Sequence, residues 1–198
     1  MSGLRQEDLW DPAKENEFRE KIEHQLYRLL VWLTANAADV LLDDELIKGF
    51  HRQVFREIFP LAAGLVRGYG CPLNIAFGPH RGVPYQECEA GFQRLSAETV
   101  ARIALLDQVR SDDRSDSAIS LACRHHAEFI ALHPFLDGNG RIGRICANYF
   151  AARYGLEFVE VYRTQSSDYE LALSLYIKEK RLAPLVDYWR PFMKPQSP

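Results

Sequence analysis

One run of twelve residues, 133–144 (HPFLDGNGRIGR), puts a histidine, a carboxylate, a small-residue turn and two arginines close together. Taken as chemistry, they make a phosphate site. Gly138, Asn139 and Gly140 allow a tight turn that presents backbone N–H groups, and they lead into the start of a helix, where the peptide dipoles favour an anion. Arg141 and Arg144 stand three apart on that helix, so both project from one face and reach the same polyphosphate. Asp137, just before the turn, is placed to hold a Mg2+ ion that bridges phosphate oxygens, since Mg2+ commonly takes one or two carboxylates together with phosphates. His133 lies one loop away, able as a neutral imidazole to take the proton of an attacking hydroxyl.

Rival readings of these residues are weaker. Gly138, Gly140 and Gly143 also spell G-x-G-x-x-G, followed by a helix and by an apolar segment at residues 158–162 with Glu160 about 20 residues on, as a dinucleotide-binding unit requires. Such a unit needs an apolar strand running straight into the first glycine. Here Pro134 and Asp137 interrupt the approach, and residues 117–132 have helical length and composition. Asp137 and Asn139 begin like a calcium loop, yet Arg141 and Ile142 stand where an oxygen ligand and a glycine belong. His125 and His126 read as one core-facing and one surface histidine, and the KEKR stretch at residues 178–181 as a solvated helix end. His133 alone would read as a helix-ending histidine stabilised by the C-terminal dipole. Its company with Asp137, Arg141 and Arg144 turns the reading toward catalysis.

The elements that must position this run are mostly helices. Phe18, Ile22, Leu26, Leu29, Leu30 and Leu33 recur at spacings of three and four, which predicts a helix within residues 12–38, and residues 41–59 read as a second. Residues 64–85 carry glycines and prolines every few positions around two short apolar pieces, 73–77 and 83–85, and predict a hairpin-like excursion about a Gly78–Gly82 turn. Residues 86–106 are amphipathic, and the polar run 111–117 reads as a loop with an N-cap at Asp116 or Ser117. The helix that follows should stop at His133, because a residue before proline is pushed out of the α region. The next is expected to open near Arg141 and end at Gly155, with two more at 167–180 and 182–193.

Composition bounds the function. The 198 residues carry 24 Lys and Arg against 27 Asp and Glu, a net charge of −3, too near neutrality for a nucleic-acid coat or a membrane-surface protein. Any basic site must be local. Cys71, Cys88, Cys123 and Cys146 form no CxxC pair and read as buried free thiols, not as a zinc ribbon or disulfide framework. The charged N-terminus lacks a signal-like apolar core, and the longest apolar stretch, 29–42, is broken by Thr34, Asn36 and Asp39. A cytoplasmic chain without membrane spans is expected.

The run matches His-x-Phe-x-Asp/Glu-Gly-Asn-Gly-Arg-x-x-Arg at every specified position, and on it the chain resembles the Fic family. The likeness covers roughly residues 43–192 and implies a mainly α bundle with a short β-hairpin flap. Residues 1–42 would be a helical extension packing on a Fic domain at 43–198. It further implies a protein adenylyltransferase that moves AMP from Mg-ATP to a Tyr, Ser or Thr hydroxyl of a target protein. On that resemblance His133 is the base, Asp137 the Mg2+ ligand, and Gly138, Asn139, Gly140, Arg141 and Arg144 the anion cradle, with Phe135 a core anchor for the loop. The flap that pairs with the target's backbone would comprise Leu73, Asn74, Ile75, Ala76 and Phe77 with Val83, Pro84 and Tyr85. A different nucleotide or phospho-donor on the same scaffold, or a silent binding module, are the alternatives. The asparagine–glycine–arginine spelling favours AMP transfer over the kinase-like Doc relatives.

Two departures from the family pattern bear on regulation and on the base. The inhibitory Ser/Thr-x-x-x-Glu-Gly/Asn signature is absent: the nearest string, 166–171, has Glu170 in register without the final Gly or Asn and reads as structural. The resemblance then implies restraint by a small antitoxin protein that supplies a glutamate to Arg144 in trans. The N-terminal helix, with Glu15, Glu17, Glu20 and Glu23, is the second candidate. The KEKR stretch stands where relatives often carry a small or acidic turn near the adenine pocket, which leaves the base of the nucleotide open.

Overall fold

The computed structural model describes residues 15–160 and 166–196; the expected helix start at Pro12 and the end of the 158–162 segment lie outside them. Among the described residues the chain forms α1 (Glu15–Asn36), α2 (Asp44–Phe55), β1 (Ala76–Phe77), β2 (His80–Arg81), α3 (Tyr85–Leu106), α4 (Ser111–Leu132), α5 (Asn139–Tyr154), α6 (Ser167–Glu179) and α7 (Ala183–Trp189). The mainly α fold with one small antiparallel hairpin is the expected class.

The antiparallel pair α4 and α5 forms the centre, and the loop joining them carries the run that begins at His133. α3, α6 and α7 pack on α4, while α1 and α2 pack on α5. Being surrounded, α5 buries residues all round its circumference, including Ile142, Ile145, Cys146, Tyr149 and Phe150. The apolar stripe of α1, Ile22, Leu26, Leu29 and Leu33, is fully buried against this centre. α2 opens on Asp43, whose carboxylate accepts from the Leu46 N–H at 2.8 Å, and α6 on Ser166, whose hydroxyl accepts from the Tyr169 N–H at 3.3 Å. All four cysteines are buried free thiols. None of the described helices is long and apolar enough to cross a membrane.

Several boundaries differ from the sequence pattern, each for a local reason. α2 ends at Phe55 and not at residue 59, since Pro60 forces Phe59 out of the helix and the chain leaves through tight turns on the Phe55 carbonyl. α4 begins at Ser111, so the polar run 111–117 is helix and not loop. Arg114 makes this possible by donating to the carbonyls of Val109 and Asp107, tying the new helix to the end of α3. α5 opens two residues early, at Asn139. His126 is not a surface residue: α4 has neighbours on every side, and both His125 and His126 are buried. The flap strands hold two residues each. Val83 and Pro84 lie beyond them, and Tyr85 already belongs to α3.

Candidate active site

The loop between α4 and α5 is shaped mostly by its own side chains. His133 ends α4 in the left-handed region (φ 55°), its N–H still donating to the Phe129 carbonyl at 2.9 Å, which throws the chain outward into Pro134. Phe135 turns back into the core, fully buried and stacked on His51 with centroids 3.9 Å apart. His51 in turn accepts from the Gly64 N–H at Nδ1 (2.8 Å), so its Nε2–H donates to the Asp137 carbonyl at 3.1 Å. The buried Asn139 amide bonds both backbone groups of Phe135, accepting from its N–H (2.9 Å) and donating to its carbonyl (2.8 Å). The Asn139 side chain is therefore a brace, and only its backbone N–H faces the cradle. Gly138 sits at φ 78°, and a Cβ there would meet the Phe55 ring at 2.3 Å, so the position excludes every other residue.

On the base side, Nδ1 of His133 lies 3.3 Å from the Ile130 carbonyl. Its proton belongs there, which leaves Nε2 as the free lone pair. Burial pushes the imidazole pKa down to about 4, with the Arg67 charge adding to it and the Ile130 carbonyl and Asp137 opposing. The ring is thus neutral at ordinary pH. Phe77 of the flap lies flat on it, centroids 4.0 Å apart and planes within 6°.

Arg67, which no sequence signal marked, ties flap and loop together. Its side chain is fully buried. Nε donates to the His133 carbonyl (2.7 Å), Nη2 to Leu132 (2.9 Å), and Nη1 to Leu73 and Val83 (3.0 Å each). Its backbone N–H donates to the Pro134 carbonyl at 2.8 Å.

On the anion side, α5 begins without a side-chain cap or an acidic residue in its first turn, so its leading N–H groups at Asn139, Gly140 and Arg141 are presented outward. Asp137 accepts from the Gly138 N–H (2.6 Å) and pairs with Arg141 at 3.3 Å, while the Arg141 guanidinium lies 5.0 Å over the Phe55 ring. Arg144 points elsewhere. It borders a cavity of about 290 Å3 with Phe158, Glu160, Tyr169 and Tyr188. A second cavity, about 220 Å3, lies between the flap and α6, bordered by Phe77, His133, Gly140 and Glu170. Tyr169 belongs to both walls. The structure therefore brings His133, Gly140 and Arg144 to adjoining spaces and sets Asp137 and Arg141 beside them as a pair. Glu170, read from sequence as structural, is exposed on the His133 cavity.

A family model for the Fic/DOC family matches residues 41–151. The chain belongs to the Fic/DOC family. A Fido domain-containing protein of Dictyostelium discoideum is 38% identical over 69 residues, a match spanning 35% of this chain and 48% of that protein, about half its length. Among solved structures, the BepC effector of Bartonella tribocorum with bound AMPPNP aligns with a TM-score of 0.68 at 15% identity, covering 100% of this chain and 95% of that one. The N-terminal Fic domain of a VirB-translocated Bep effector from Bartonella quintana with bound ADP aligns with a TM-score of 0.72 at 16% identity, over 99% and 92% of the two chains. At these identities the likeness is one of fold.

In this Fic domain, burial depresses four imidazoles: His51 to about 4, His125 to about 3, His126 to about 3 and His133 to about 4, against 6.5 for a free ring. The unfolded chain therefore binds more protons than the folded one from pH 6.5 down to about 4, and stability falls as pH drops through that window. Each ring contributes up to about 1.4 kcal/mol per pH unit. Urea denaturation at a series of pH values should show the midpoint falling steeply below about pH 6.5, and a flat midpoint between 7 and 5 would contradict the burial of these rings.

Proposed function

We propose that this Fic domain transfers AMP from Mg-ATP to a hydroxyl side chain of a target protein. The observation that carries the reading is a neutral imidazole with a free Nε2 lone pair beside the uncapped start of α5, in a cavity that adjoins the one Arg144 borders, in a chain with every specified residue of the family run. His133 takes the proton of the attacking hydroxyl at Nε2. The oxygen forms its bond to the α-phosphorus, the bond to the β-phosphate bridge breaks, pyrophosphate leaves, and the imidazolium returns its proton to solvent. The N–H groups of Asn139, Gly140 and Arg141, with the two guanidinium groups, receive the negative charge of the phosphates.

Asp137 is the loop carboxylate, about 40% exposed, and no group of three or more metal-ligating side chains gathers among the described residues. One carboxylate of this kind fits Mg2+ whose other ligands are phosphate oxygens and water. When bound, the ion would neutralise phosphate charge, and the contact of Asp137 with Arg141 would give way to it.

The flap is the proposed target dock. Gly82 N–H donates to the Ile75 carbonyl at 3.0 Å, and the register pairs Ala76 with Arg81 and Phe77 with His80. Alternation then turns the backbone groups of Asn74 and Ala76 to the outer edge, where a target segment adds as a strand. Leu73 and Val83 are excluded from that role, since Arg67 holds their carbonyls. Restraint is proposed to come in trans, from a small inhibitor protein that offers a carboxylate to Arg144. The described glutamates of α1 border neither cavity.

Incubation with α-labelled and γ-labelled ATP and a cell lysate should give label on protein from the α position alone, and transfer of γ label would replace this reading with a kinase-like one. His133→Ala should lower transfer by about 10² to 10⁴ while leaving nucleotide affinity within a few-fold, and an equal loss of affinity would make His133 a binding residue. Ala76→Pro removes the outer-edge N–H and should reduce target modification about tenfold or more with ATP affinity retained; undiminished modification would sink edge docking. The purified 198-residue chain should modify itself when given Mg-ATP, whereas a silent chain that awakens on removal of residues 1–40 would place the brake in the N-terminal helix.

A further inference from the structure

We infer that Tyr169 is a positioning residue for Arg144, its phenol held from behind by His126 and aiming the guanidinium at the nucleotide. This inference rests on the reading of Arg144 as a phosphate-binding residue. Tyr169 lies in the first turn of α6, is 4% exposed, and belongs to the walls of both cavities. Its hydroxyl is a hydrogen-bond partner of Arg144 and lies 2.7 Å from Nε2 of His126.

The protons of this group can be assigned. A guanidinium only donates, so Tyr169 accepts from Arg144. Its own proton is then best used on His126, whose Nε2 accepts. That makes His126 the Nδ1–H tautomer, with Nδ1 buried against Gly143 and without a hydrogen-bond partner among the described residues. The opposite tautomer would make Nε2 a second donor to the phenol oxygen and take that acceptor away from the phenol proton. His126 is itself fully buried, with its ring 4.6 Å from that of Trp189.

Gly143 is what lets the imidazole come so near. A Cβ on Gly143 would stand 2.9 Å from His126 Nδ1 and 3.3 Å from Ile130 Cδ1. This glycine lies between the two arginines of the run, at a position the family pattern does not specify. The phenol thus joins side chains of α4, α5 and α6 at one point. Arginine has much rotamer freedom to lose on binding. A guanidinium already held by the phenol has lost part of it, and Arg144 borders the cavity.

The test uses the full-length protein. Calorimetric titration with AMPPNP and Mg2+ should show Tyr169→Phe, which keeps the ring, weakening binding about tenfold while the melting temperature falls by only a few degrees. In the double variant with Arg144→Ala, Tyr169→Phe should add nothing further, because its effect passes through the guanidinium. His126→Gln, whose amide oxygen can stand in for Nε2, should retain most of the affinity. Wild-type affinity in Tyr169→Phe, or additive losses in the double variant, would overturn the inference. A second readout does not depend on nucleotide. The Arg144 side-chain N–H resonances of the ligand-free protein should shift and broaden in Tyr169→Phe, and an unchanged spectrum would also overturn it. If the wild type binds no AMPPNP while those resonances respond, the positioning role stands and the nucleotide reading falls.

Discussion

Arg67 carries a full positive charge at zero exposure, and its guanidinium is answered by backbone carbonyls. A buried cation is costly unless its donors are all used and negative potential surrounds it. Backbone carbonyls take four of the five Arg67 donors and supply that potential. Two of its acceptors are the carbonyls of Leu132 and His133 at the C-terminus of α4, the negative end of the helix dipole, and the other two flank the flap. The nearby thiols Cys71 and Cys88 do not supply a counter-charge: burial raises both, Cys88 to about 11, so they remain protonated. Because one rigid fork holds both segments, the flap and His133 are one unit, and Phe77 is brought onto the His133 ring as a consequence.

The same economy governs the loop. Three of the eight residues that spell its signature act on the loop itself. Asn139 closes it by bonding Phe135, Gly138 exists because the Phe55 ring fills the space where a side chain would be, and Phe135 is clamped by His51. What is left over is a row of backbone N–H groups, two arginines, one imidazole and the half-exposed Asp137 carboxylate. A site built largely from backbone is held by everything that holds the backbone, which is why residues as distant in sequence as His51 and Arg67 belong to it. The charge-bearing side chains are deployed unequally: Arg141 rests on Asp137 and Phe55, and Arg144 is held in the neighbouring cleft by Tyr169.

The local physics of the sequence determined the helices, the stop at His133 and the glycine end of α5, because periodicity, proline geometry and glycine freedom act over a few positions. Even the family was legible, since so many positions are specified at fixed spacing. Only the tertiary structure decided which of those residues face a ligand. A one-dimensional string does not say that the Asn139 amide turns inward, that His126 is enclosed by the helices around α4, or that Arg141 and Arg144 part company. Arg67 gave no signal at all, being one arginine in a glycine-rich stretch. His51 sat on the apolar face of α2 with Ile47, Phe50, Val54 and Phe55, a placement that marks a bonded core histidine without naming its partner. The flap strands are shorter than the sequence pattern for the same reason. The apolar pieces of 73–77 and 83–85 look like strands, yet the carbonyls of Leu73 and Val83 are taken by a cation from outside the hairpin, and pairing shrinks to two residues a side. Hydrogen bonds between residues far apart in sequence leave no periodic trace, and it is those bonds that aim the site.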